Sequence, residues 1–238
     1  MSLPAYAVEA LCRDSTLAPT TRNGAMTRLR QFLRWVGNPI AEDKELWRAP
    51  RWVATNRDWA TLVEIVTLLK HARDSHARAA IALMGTCGMR ETEVTTATVG
   101  GIKPQPEGKF ELNFRGKFDK PRRVPLSAQA VDALLPLVAN AGPGERIYPY
   151  KRSRLWNDVS KACRAGGIRH LRPHDLRRGF GREFLRANGH SPRALAALSD
   201  IYGHSEVSET IYYIGLDREA ADSGMDAFSR AIQEARTV

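Results

Sequence analysis

The feature that most constrains this chain is a set of cations, histidines and one tyrosine strung over most of its length. Tyr213 stands nine residues after His204 in Gly203-His204-Ser205-Glu206-Val207-Ser208-Glu209-Thr210-Ile211-Tyr212-Tyr213, and His174 and Arg177 precede them in His174-Asp175-Leu176-Arg177. Arg90 follows Thr86-Cys87-Gly88-Met89, and Glu93 comes three residues later. Lys117 lies in Arg115-Gly116-Lys117-Phe118-Asp119-Lys120-Pro121-Arg122. A fold that uses these side chains together has to bring well-separated segments to one place.

Their chemistry is that of phosphate attack. A phosphodiester carries one negative charge in its ground state and more in a five-coordinate transition state, so a site without metal must supply cations and donors from side chains. An arginine fork can hold two non-bridging oxygens and stays charged at any working pH. A tyrosine nucleophile has a free pKa near 10, so about one phenol in a thousand is ionised at pH 7, and neighbouring cations and a base must offset roughly 4 kcal/mol. The neighbouring Tyr212 is a rival. The spacing from His204 favours Tyr213, and adjacent residues on a helix point about 100 degrees apart, so only one of them can face a phosphate.

The ordered set Arg90, Lys117, His174, Arg177, His204 and Tyr213 resembles the tyrosine site-specific recombinases, or phage integrases, over about residues 56 to 215. Each short motif is weak alone, and the specificity comes from the combination. The resemblance implies that the tyrosine attacks a phosphate to form a 3′-phosphotyrosyl bond and release a 5′-hydroxyl, which a second strand's 5′-hydroxyl then reverses. It implies that Arg90 and Arg177 clamp the non-bridging oxygens, Lys117 protonates the leaving 5′-oxygen, and His174 helps to deprotonate Tyr213. His204 would hydrogen-bond the phosphate, and Glu93 would orient Arg90. Because the phosphotyrosine stores the bond energy, neither cofactor nor metal is expected, and the sequence has no Gly-rich phosphate loop ending in Lys-Ser or Lys-Thr. The chain departs from the family pattern at Arg178, where a second histidine often follows the arginine, and at Phe118, where glycine is common. The stretch from Arg177 to His204 is a few residues longer than usual.

Composition agrees with a polyanionic partner. The net charge is +10 with a pI near 9.9, and residues 146 to 186 hold twelve Lys or Arg against three Asp or Glu, hence +9. Scattered lysines usually form a solvated face, but here the clusters coincide with the proposed site. Expected DNA contacts are Arg22, Arg28, Arg30 and Arg34 on an N-terminal helix. Arg115, Lys120, Arg122 and Arg123 near Lys117, and Lys151, Arg152, Arg154 and Arg178 in the basic stretch, complete that set. Cys12, Cys87 and Cys163 are odd in number and widely spaced, which argues against a disulfide framework or a paired-cysteine zinc site. His170 and His174 lack further ligands. The sequence contains no apolar run of membrane-spanning length and no signal-peptide pattern, so a cytoplasmic protein is expected.

The periodicity predicts a mainly α fold with a small antiparallel β-sheet. The resemblance implies a tyrosine recombinase catalytic domain preceded by a short helical domain, with residues 1–50 as a core-binding-like DNA-binding domain and its linker and residues 51–238 as the catalytic domain. A helix from about Pro4 to Gly37 places Leu29, Phe32, Leu33 and Val36 on one face. Trp47, Trp52 and Trp59 are packing residues of the linker region. The second domain opens with a capped helix bearing Leu62, Ile65, Val66 and Leu69, then an Ala-rich helix from Ser75 to Thr86. Strands over Phe110–Phe114 and Arg122–Leu126 form a hairpin carrying Lys117 at its tip. A helix from Pro173 carries an inward stripe of Leu176, Phe180 and Phe184, with His174, Arg177 and Gly181 on another face that the glycine leaves bare. A last helix with Met225, Phe228 and Ile232 would dock into a neighbouring protomer as an exchange helix, as the resemblance implies. The expected partners are double-stranded DNA, a homotetramer on paired sites, and an accessory DNA-bending protein, with no membrane. The alternatives are a type IB topoisomerase-like nicking-closing enzyme with the same chemistry, and a DNA-binding accessory protein that does not cut.

Overall fold

A computed structural model describes residues 8, 10, 19–47, 59–116, 119–204 and 206–214 of the chain. Lys117, Phe118, Cys12, Trp52 and the terminal stretch with Met225, Phe228 and Ile232 lie outside the described residues, as do the side chains of Tyr212 and Tyr213. The chain divides into two compact units, Met1–Asn56 and Arg57–Val238.

The first unit is built on α1 (Pro19–Trp35), which ends before Gly37 in a left-handed conformation. Asn38 then caps a short 3-10 turn, Pro39–Glu42, by accepting from the Ile40 amide. The core joins Val8, Met26, Leu33, Ala41 and Trp47, with Leu29, Ile40 and Leu46 packed against it. The inward stripe is therefore Met26, Leu29 and Leu33, and the expected face is corrected. Phe32 and Val36 are about half exposed, and Trp35 is the most exposed of the large apolar side chains. Two apolar stripes compete on this helix, and Trp47 decides between them by covering the Met26 side. Its indole N–H donates to the Ile40 carbonyl at 2.8 Å, in line with its expected packing role.

The second unit wraps helices around one apolar helix. The order is α2 (Leu62–Lys70), α3 (Ser75–Cys87), α4 (Glu91–Thr96), β1 (Ile102–Pro104), β2 (Phe110–Arg115), β3 (Pro121–Pro125), α5 (Ala128–Val138), α6 (Arg152–Ala165), α7 (Pro173–Ala187), α8 (Pro192–Tyr202) and α9 (Val207–Ile214). The Asp74 carboxylate caps α3 by accepting from Ala77, and Ala77 and every residue from Ala79 to Gly85 on this helix are buried. Its alanines let α5 and α7 approach on either side, so α3 forms the centre of the core. Helix α2 starts in a capping box between Thr61 and Glu64 and buries Ile65 and Leu68; Leu62 and Val66, expected on that face, are exposed. The sheet has the order β1-β2-β3, antiparallel, with Ile102 opposite Leu112 and Leu112 opposite Val124, so that Leu112 and Val124 face the core. β2 packs on α4, and β3 on α8. No helix among the described residues is long and apolar enough to cross a membrane.

Helix α7 crosses the chain before α2 at Gly179. A Cβ added there would stand 2.1 Å from the Ala60 carbonyl oxygen, while the Ala60 amide donates to the Asp175 carbonyl at 2.9 Å. Gly179→Ala should therefore cost roughly 1–3 kcal/mol in urea denaturation, because backbone must move. Gly144→Ala, where an added Cβ meets nothing within 4 Å, should lose none. Equal midpoints for the two variants would contradict this packing.

Candidate active site

Helix α3 ends at Gly88, whose φ of 69° turns the chain so that Arg90 can leave the helix axis. The crossing is tight, since a Cβ on Gly88 would lie 2.6 Å from the Phe180 ring and 2.8 Å from the Tyr202 ring. Arg90 then stands at the start of α4, where its amide donates to Glu93 Oε2 at 2.8 Å and its Nη1 pairs with Glu93 Oε1 at 2.9 Å. The Glu93 side chain is only 4% exposed. A carboxylate in that position needs cations, and it has three. Besides Arg90, Arg122 on β3 reaches Oε1 at 2.5 Å, and Arg177 on α7 approaches Oε2 at 3.8 Å.

Arg177 is the largest fully buried side chain among the described residues, 1% exposed. Its guanidinium donates to the Gly88 carbonyl at 2.5 Å and the Tyr202 carbonyl at 3.1 Å, and stacks 4.1 Å from the Tyr202 ring centroid. The Tyr202 hydroxyl in turn donates to the Arg177 carbonyl. The arginine thus ties the ends of α3 and α8 to α7. Three guanidinia around one carboxylate leave an excess of two positive charges in a partly dry place, which is an anion-binding field.

His204 lies in that field. Gly203, with φ of 61°, ends α8, and His204 Nδ1 meets the hydroxyl of the fully buried Thr210 on α9 at 2.8 Å. Burial first, and then Arg177, Arg90 and Arg122, push its imidazole down to about 4, so it is neutral at pH 7.

His174 stands at the start of α7, beside a second buried carboxylate. Glu91, its side chain 3% exposed, pairs with Arg152, accepts from the Trp156 indole at 2.9 Å, and lies 3.9 Å from His174 Nε2. Burial holds His174 below the ordinary histidine range, against the opposing pull of Glu91.

Of the expected site residues, Arg90, Glu93, His174, Arg177 and His204 meet at the ends of α3 and α8 and the starts of α4 and α7. Lys117 lies outside the described residues, in a hairpin whose flanks are joined by the Gly116 amide and the Lys120 carbonyl at 2.8 Å. Position 213 falls in the last turn of α9. Several expected DNA contacts also have partners within the protein. Arg122, 11% exposed, is held by Glu93 and the Ile201 carbonyl; Arg152 holds Glu91; Arg34 pairs with Glu42; and Arg30 bonds the Ala41 carbonyl beside Trp47. Arg178 approaches Asp175 at 3.6 Å, Arg154 lies over Tyr150, and Arg115 reaches Asp119. Arg28, Lys120, Arg123 and Lys151 are exposed and Arg22 is half-buried. Gly181 is buried rather than bare, because α7 packs against its neighbours through that turn as well. Glu91, Trp156, Tyr202 and Thr210 escaped the sequence reading. Only Glu91, two residues before Glu93 on the same short helix, gave any sign. No three His, Cys, Asp or Glu side chains gather as a metal ligand set among the described residues.

Residues 58–220 match the sequence model of the phage integrase family. The chain is 27% identical over 228 residues to the tyrosine recombinase XerC of Proteus mirabilis, covering 85% of this chain and 70% of that protein. It spans about half the length of further XerC relatives. The fold is similar to that of the XerH site-specific recombinase bound to palindromic difH substrate in a post-cleavage complex. That likeness has a TM-score of 0.70 at 15% identity over 94% of this chain and 72% of that one. It is also similar to the Tn1549 transposon integrase in complex with transposon right end DNA, with a TM-score of 0.66 at 17% identity over 96% and 86%.

The position of His204 has a consequence for pH. A folded-state value depressed to about 4 means that the stability tied to the neutral imidazole is complete above the ordinary value near 6.5 and is lost as pH falls toward 4. In an NMR titration of the DNA-free protein, the His204 ring signal should stay neutral until pH nears 4. Titration near 6.5 would mean that neither burial nor the guanidinium field acts on it as described.

Proposed function

Because this chain belongs to the phage integrase family, we propose that it cleaves and rejoins DNA strands at specific sites through a 3′-phosphotyrosyl intermediate, with Tyr213 as nucleophile. The observation that carries the proposal is the cluster of Arg90, Arg122 and Arg177 around one buried carboxylate, with neutral His204 beside it. Such a cluster offers the charge that a phosphorane transition state develops, and it does so before the substrate arrives.

In this reading Arg90 and Arg177 take the non-bridging oxygens and His204 donates a further hydrogen bond. His174 accepts the phenolic proton of Tyr213, and Lys117 returns a proton to the leaving 5′-oxygen. The choice of Tyr213 over Tyr212 draws support from helix geometry. Thr210 holds His204, and positions three apart on a helix share one side of it, which favours position 213 over position 212. The DNA-bound likenesses support double-stranded DNA as the substrate, and the exposed Arg28, Lys120, Arg123 and Lys151 are its proposed backbone contacts. Residues 1–50 would grip the duplex as a short core-binding domain, and residues 51–238 would carry the chemistry. Exchange between two duplexes breaks four strands, one per tyrosine, so the working assembly is a homotetramer on paired sites in the cytoplasm. Residues 222–238 would link its protomers, and a DNA-bending protein would assist it.

Covalent capture tests the proposal. Nicked duplexes drawn from DNA flanking its own gene trap the adduct by letting the short 5′ fragment diffuse away. A denaturing gel should show a shifted protein–DNA band with the parent and with Tyr212→Phe and none with Tyr213→Phe. An adduct that survives Tyr213→Phe, or none on any fragment despite salt-sensitive binding, would overturn it.

A further inference from the structure

The Glu91 cluster has a geometry of its own, separate from the guanidinia around Glu93. Trp156 and Arg152 are four residues apart on α6 and so share a face, which they turn to α4. The Trp156 indole N–H fixes Glu91 Oε2 at 2.9 Å, and Arg152 pairs with Oε1. The same Oε1 is the atom 3.9 Å from His174 Nε2. A carboxylate at 3% exposure is costly to bury, and the two contacts that fix its oxygens leave Oε1 facing the imidazole at the start of α7 as well.

We infer that Glu91 is a positioning residue for His174: the buried carboxylate, oriented by Trp156 and neutralised by Arg152, holds the imidazole at the reaction face and stabilises it when it takes up a proton. The inference rests on the strand-transfer reading for its catalytic consequence. In that step the phenolic O–H of Tyr213 breaks, its proton bonds to an imidazole nitrogen of His174, and the phenolate oxygen bonds to phosphorus as the 5′-oxygen leaves. The imidazolium so formed lies within ion-pair reach of Glu91, which is where a fixed negative charge lowers the barrier most. The charged groups facing His174 are Glu91 from α4 and, on its own helix, Asp175, Arg177 and Arg178, with Arg152 of α6 acting through Glu91.

The test uses two variants with opposite signs. Glu91→Gln keeps the acceptor for Trp156 and the side-chain shape but removes the charge, so the His174 NMR titration in the DNA-free protein should move to lower pH. Arg152→Gln removes the competing cation from an exposed position, leaving more of the Glu91 charge to the imidazole, so the same titration should move to higher pH. At saturating nicked duplex, Glu91→Gln should slow adduct formation at neutral pH on the order of tenfold. The acid limb of its rate profile should shift down with the titration, and half-saturating DNA should be unchanged. A fault in folding alone would not move the two titrations in opposite directions. If both variants titrate like the parent, Glu91 does not position His174. If the titrations move but the parent forms no adduct on any duplex, the positioning stands and strand transfer fails.

Discussion

Glu93 is a carboxylate that the fold has taken out of water and surrounded with guanidinia from three elements. Arg90 comes from the start of α4, Arg122 from β3 and Arg177 from α7, so one side chain ties the sheet and two helices to the same point. Burying an ion costs several kcal/mol unless it is well paired, and the pairing here is in excess, three cations to one anion. The excess is the functional part. A single buried pair would be a neutral strut, whereas this arrangement keeps a positive field in place before any phosphate arrives and, after burial, helps to hold His204 neutral.

The remaining contacts serve that geometry. Gly88 turns α3 so that Arg90 can reach Glu93, and the Gly88 carbonyl is one of the two that hold Arg177. Tyr202 stacks on Arg177, accepts from it through its own carbonyl, and donates back to the Arg177 carbonyl, so the end of α8 cannot shift without the arginine. His204 follows two residues later and links to α9 through Thr210. Bound phosphate would therefore compete with protein carbonyls for the Arg177 donors. Glu91, two residues earlier on α4, is a second buried carboxylate, held by Arg152 and Trp156 beside His174.

Much of this was legible in the sequence because motif spacing carries it. Arg90 with Glu93, His174 with Arg177, and His204 sit at helix ends marked by Gly88, Pro173 and Gly203, and these punctuators are local signals. The Ala-rich helix and the β2–β3 hairpin were legible for the same reason. What escaped depends on partners distant in sequence. Arg122 stands in a basic cluster and looks like a backbone contact, yet its partners Glu93 and the Ile201 carbonyl are 29 and 79 residues away. Glu91 resembles an ordinary first-turn acid until α6 brings Trp156 and Arg152 to it. On α1 the stripes of Phe32 with Val36 and of Met26 with Leu29 fit one helix equally well, and only the packing of Trp47 chooses. β1 is three residues ending in Pro104, too short for any alternation to show.

Glu93 organises the cationic site, and equilibrium urea unfolding of Glu93→Gln is the sharpest check of that role. The amide has the carboxylate's shape but leaves three guanidinia without their shared anion. A loss of roughly 3–5 kcal/mol is expected, a large share of the stability of a domain of this size. A change within about 0.5 kcal/mol of the parent, as for a surface substitution, would contradict it.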